Sequence, residues 1–81
     1  MHSSEQINKI HQVLQEVFPN DQIPDDIKNL VMGDLASWDS LGNFNLILAV
    51  ETEFDVRFSM DEISEIKSVI EILEALDANG V

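Results

Sequence analysis

Apolar residues recur at helical spacing from the start of the chain. Ile7, Ile10, Leu14, Val17 and Phe18 follow the i, i+3, i+4 rule, and Ser3 and Gln6 stand at capping-box spacing. The pattern predicts a helix over residues 4–18, ended by Pro19. A long connection follows, holding Pro24 and the apolar cluster Ile27, Leu30, Val31 and Met32. At about twenty residues it exceeds ordinary loop lengths, which marks it as functional or partly helical. A second helix is expected from Asp39-Ser40 to about Glu53, with Phe54 packing at its end. Ser59-Met60-Asp61-Glu62 is a capping-box pattern opening a short third helix. Ser68-Val69-Ile70-Glu71 repeats it and opens a last helix with Val69, Ile72, Leu73 and Leu76 on one face. Gly80 stands where a C-terminal stop belongs. Strand-like alternation is confined to Val56-Arg57-Phe58. The expected fold is all-α: one small domain over residues 1–81, a bundle of three or four helices with a long loop between the first two main helices.

The second helix carries two apolar stripes. At about 100° per residue, Leu46, Ile47, Val50 and Phe54 share one arc and form an ordinary core face. Leu41, Phe44 and Leu48 fall on a separate stripe beside Ser40 and Glu51. Two readings stand for that stripe. The long loop covers it, through Leu30 or Trp38, or it is an exposed strip bordered by Glu51 and Glu53 that docks a partner.

Composition sharpens this picture. Sixteen Asp and Glu face four Lys and Arg, a formal net charge of −12. Residues 1–20 hold Glu5 and Glu16 against Lys9, and the other fourteen acids face only Lys28, Arg57 and Lys67. Such a chain is not suited to bind nucleic acid phosphates or an anionic membrane, which attract basic surfaces. With no cysteine there is no disulfide, thiolate zinc site or cysteine nucleophile. Hydrophobic content of 44% is too high for a disordered chain. The N-terminal residues do not resemble a signal peptide, and the longest apolar run, Leu46 to Val50, is too short to span a bilayer. The expectation is a monomeric cytoplasmic protein. His2 and His11 are too few for a metal site and are expected on solvent-facing helix positions. Asp21, Asp25 and Asp26 lack EF-hand spacing and read as a solvated acidic loop, so no metal is expected. Trp38 reads as a loop anchor packing on the bundle, or as a border of whatever Ser40 carries.

Asp39 and Ser40 admit two roles. Asp39 as N-cap and Ser40 as first helical residue is a common pairing with no function attached. A serine hydroxyl at a helix start can also carry a phosphate ester, which the free N–H groups there favour, but spacing alone does not show that it does.

The residues around this pair resemble the acyl carrier proteins. Trp38-Asp39-Ser40-Leu41, followed by Leu46-Ile47-Leu48-Ala49-Val50-Glu51-Thr52-Glu53-Phe54-Asp55, is similar to that family's Asp-Ser-Leu signature and second helix. The match continues through the acidic stretch Ser59 to Ile66 to Val69, covering about residues 30–77. The resemblance implies a carrier and not an enzyme. Ser40 would receive 4′-phosphopantetheine from coenzyme A by a phosphopantetheinyl transferase, with Asp39 helping that enzyme engage the serine. The arm's thiol would hold acyl or aminoacyl groups as thioesters. Leu41, Phe44, Leu48, Glu51 and Glu53 would form the docking surface for loading, extending and transferring enzymes with basic patches. Leu46, Ile47, Val50, Ile63, Ile66, Val69 and Leu73 would shelter an acyl chain. Gly42, Asn45 and Thr52 depart from the fatty-acid type, which usually places acids at such positions, and Arg57 breaks the acidic run. Gly42 also costs a helix about 1 kcal/mol relative to Ala, so a close contact or a local backbone requirement is expected there. These departures point toward a dedicated pathway: polyketide-like, aminoacyl or cell-envelope lipid. A different class of function uses the same features: an acidic helical module that binds a basic partner with no cofactor, for which Ser40 is dispensable.

Overall fold

The computed structural model describes residues 4–81. Ser3 and His2, and the expectations placed on them, lie outside the described residues. Four helices follow in order: α1 (Ser4–Val17), α2 (Ser40–Phe54), α3 (Met60–Glu65) and α4 (Val69–Ala78). No strand forms among the described residues; the single β feature is an isolated bridge between Val31 and Ser68. No described helix is long and apolar enough to cross a membrane.

Local chemistry sets the helix ends. Ser59 and Glu62 form a complete capping box, each side chain accepting from the other's backbone N–H at 3.1 and 2.9 Å. Ser68 caps α4 by accepting from the Glu71 N–H. Asp55 ends α2 in the left-handed conformation, φ 54°, its N–H donating to the Glu51 carbonyl. Gly80 closes α4 with φ 80°: its N–H reaches the Asp77 carbonyl, and the Val81 N–H reaches that of Leu76 at 3.0 Å. That pair of bonds is a Schellman stop, and the positive φ is why glycine suits it.

The core is assembled from three helices and the connections. Ile10, Val13 and Leu14 of α1 meet Leu46, Ile47 and Val50 of α2 and Val69, Ile72, Leu73 and Leu76 of α4. Phe18, Ile27, Leu35, Trp38, Phe58 and Ile66 complete it from outside the helices. Phe54, expected on the core face of α2, is only half-buried, and the Lys9 ammonium lies 5.5 Å from its ring centroid. α3 buries no residue fully.

The connection over residues 18–39 contains turns and no helix. It is nevertheless fastened. Asp21 accepts from both the N–H and the hydroxyl of Ser37, at 2.8 and 3.1 Å. The Met32 N–H donates to the Lys67 carbonyl and the Val69 N–H to that of Leu30, tying the loop to the α3–α4 junction. Ile27 and Leu35 reach the core singly, so the loop packs without helical periodicity. His11 is a correction to the solvent-facing expectation: it is half-buried, its Nε2 3.1 Å from the Pro24 carbonyl oxygen.

Candidate functional site at the head of the second helix

Asp39 adopts an extended conformation and accepts from the Gly42 N–H at 2.8 Å, so it is the N-cap of α2. Ser40 is the first residue of the helix and is exposed. Among the described residues nothing hydrogen-bonds its hydroxyl, which leaves the oxygen accessible from solvent.

The backbone behind this serine is tightly held. Gly42 passes so close to Ser37 that an added Cβ would collide with the Ser37 carbonyl oxygen and press on the Phe18 ring. This is the contact that its place in a helix implies. Trp38 is fully buried and stacks on Phe18 with ring centroids 6.1 Å apart. It therefore anchors the loop in the core and does not cover the outer stripe of α2. Leu30, the other residue considered for that cover, is half-buried.

Asn43 went unremarked in the sequence and proves central. It is 7% exposed, accepts from the Trp38 indole Nε1–H at 2.9 Å and donates to the Ile66 carbonyl at 2.7 Å. One amide thus joins the segment before Ser40 to the segment after α3. Its signal was available: Asn43 falls within the same arc of α2 as Leu46, Ile47 and Val50, and a polar residue on a buried face requires partners.

An open groove of about 320 Å³ runs beside this helix start. Met32, Phe44, Met60 and Ile63 give it an apolar wall, and Ser40, Asn43 and Lys67 line it as well. No Asp or Glu does. A second depression, about 540 Å³, lies along α2 at Leu48, Glu51 and Arg57 and does not reach Ser40.

The outer stripe is open. Leu41 is 71% exposed, Phe44 41% and Leu48 42%. Glu53 is also exposed, but Glu51 is half-buried and accepts from the Phe58 N–H at 2.7 Å. Glu51 therefore clasps the turn between α2 and α3, which leaves it less free than the exposed position expected of it. Of the seven residues expected to shelter a chain, Leu46, Ile47, Val50, Val69 and Leu73 are fully buried and Ile66 nearly so. Ile63 is half-buried and is the one of the seven that lines the groove. Among the described residues no cluster of His, Asp and Glu could hold a metal ion. Among the described residues, Glu62 is the one group whose pKa departs clearly: the Ser59 N–H, then the Asn79 amide, hold it below the ordinary 4.5.

No known protein-family model, curated protein or solved structure matches the chain.

Proposed function

We propose that the chain is an acyl carrier protein, with Ser40 bearing a 4′-phosphopantetheine arm that holds acyl or aminoacyl groups as thioesters. The observation that carries this reading is Ser40, exposed at the head of α2, its hydroxyl without a hydrogen bond among the described residues and opening on a groove walled by Met32, Phe44, Met60 and Ile63. In the transfer, the Ser40 oxygen forms a new bond to the pantetheine-side phosphorus of coenzyme A. The P–O bond to the nucleotide breaks, 3′,5′-adenosine bisphosphate leaves, and the hydroxyl proton passes to a base of the transferase. The bound arm supplies the thiol that this chain lacks.

Several features support the reading. Asp39 fixes the first turn of α2, so the transferase meets a serine of set orientation. Leu41, Phe44 and Leu48 form an apolar strip beside it for partner enzymes, and the net charge of −12 suits partners with basic patches. Charge attraction speeds encounter and keeps complexes salt-sensitive, which suits a shuttle that must release. The buried residues between α2 and α4 form the core that an acyl chain would enter from the groove.

Intact-mass spectrometry after incubation with a broad-specificity phosphopantetheinyl transferase and coenzyme A tests this. The expected result is a gain of one phosphopantetheine group in the native chain and none in Ser40→Ala. A native chain that gains no mass, or a Ser40→Ala chain that does, overturns the reading.

A further inference from the structure

The groove beside Ser40 has a charge opposite to that of the molecule. Acids outnumber cations sixteen to four, yet no acid lines this groove and Lys67 does. Around it the backbone is fixed. The Lys67 N–H donates to the Glu71 carboxylate at 2.9 Å, its carbonyl accepts from Met32 at 2.8 Å, and the preceding Ile66 carbonyl accepts from Asn43 at 2.7 Å. The side chain is exposed, and among the described residues no partner holds its ammonium. Asn43 lines the same groove three residues after Ser40, so the bond from Asn43 to Ile66 ties the helix turn carrying the serine to the residue next to Lys67.

From this arrangement we propose that Lys67 is the counter-ion of a phosphodiester formed on Ser40. The inference rests on the carrier reading and adds to it a positioning residue of this chain. The occupant it assigns to the groove is the phosphate-bearing, proximal part of the arm. The apolar wall takes the methylene and methyl groups next to the phosphate, and Lys67 balances the negative charge. A long flexible cation suits the task, since it reaches a point charge without demanding the planar geometry of arginine. Pairing at the arm's base would direct the proximal segment along the groove and leave the distal thiol free to travel.

The test is an NMR titration of the lysine Cε resonances before and after transferase loading, with intact mass recorded on the same samples. A phosphodiester within about 6 Å raises the Lys67 titration midpoint by about half a pH unit at low ionic strength, and the rise shrinks in about 0.5 M salt. Lys9 and Lys28 serve as internal references. The carboxylates of the flanking segments, Asp34, Asp39, Glu65 and Glu71, are present in both forms, so the difference isolates the added phosphate. Ser40→Ala carried through the same incubation is expected to show no change. A chain that gains the arm while Lys67 moves no more than Lys9 and Lys28 overturns the Lys67 assignment and leaves the carrier reading standing. A native chain that gains no mass overturns both.

Discussion

Gly42 and Asn43 show how single positions set the geometry around Ser40. Replacing Gly42 by alanine would ordinarily favour a helix, since glycine costs about 1 kcal/mol there. At this position the new methyl meets the carbonyl of Ser37, a residue that Asp21 holds by accepting from its N–H and its hydroxyl. Overpacking against a fixed backbone costs about 1–3 kcal/mol, so Gly42→Ala is expected to lower stability in urea denaturation although its propensity is better. Asn43→Leu removes an acceptor from the Trp38 indole and a donor from the Ile66 carbonyl, both in buried surroundings. Each stranded group costs about 1–3 kcal/mol. Trp38 is the only tryptophan, so its fluorescence reports the change directly. The segment Asp39-Ser40-Leu41 at the head of α2 was plain in the sequence, but the partners of Asn43 were not. They lie 5 and 23 residues away in opposite directions, and local pattern carries no information about such distances.

Among the elements, α3 is the one held by polar contacts more than by packing. It contributes no fully buried residue, and Met60 is 72% exposed. Its capping box, the Glu62–Asn79 hydrogen bond and the tie from Asn43 to Ile66 keep it in register. Ser59→Ala is therefore expected to cost about 1 kcal/mol and to raise amide exchange in α3 before the rest of the domain. The Glu62 carboxyl gives this element a dependence on pH. Its pKa is depressed in the folded chain, chiefly by the Ser59 N–H. The stabilisation is present in full above the ordinary value of 4.5 and is lost as pH falls through the lower folded value. In acid titrations followed by circular dichroism, the stability difference between the native chain and Glu62→Gln should narrow over that interval. If the difference stayed constant with pH, the carboxylate's charge would not be the source. The starts of α2, α3 and α4 were legible because their capping residues are local, and the course of α1 because apolar periodicity is. The course of residues 18–39 was not, since Asp21–Ser37 and Val31–Ser68 are contacts between distant segments. The same holds for Glu51, whose clasp on Phe58 leaves no trace in helical spacing.

For the whole molecule, the proposed carrier role has salt acting in opposite directions on folding and on docking. A net charge of −12 on 81 residues makes the acids repel one another in the compact state. Screening has a range of about 10 Å at 0.1 M salt, so raising salt from near zero to that level should increase the thermal midpoint. The same screening weakens attraction to a basic partner and should lower the association rate, with dissociation changed less. Phe44→Ala separates the apolar part of docking from the electrostatic part. The side chain is 41% exposed on α2, and its loss leaves the charge unchanged. The expected outcome is slower loading by partner enzymes at every salt concentration, with the thermal midpoint shifted little and the salt dependence of association preserved. Stopped-flow association and thermal melts on the same preparations measure both. If Phe44→Ala lowers the midpoint as a buried deletion does, at about 3–5 kcal/mol, the strip supports the fold and is not a docking surface. A loss of salt dependence would show that the charged contacts form only once Phe44 seats the partner, contrary to a field spread over the acids that follow α1.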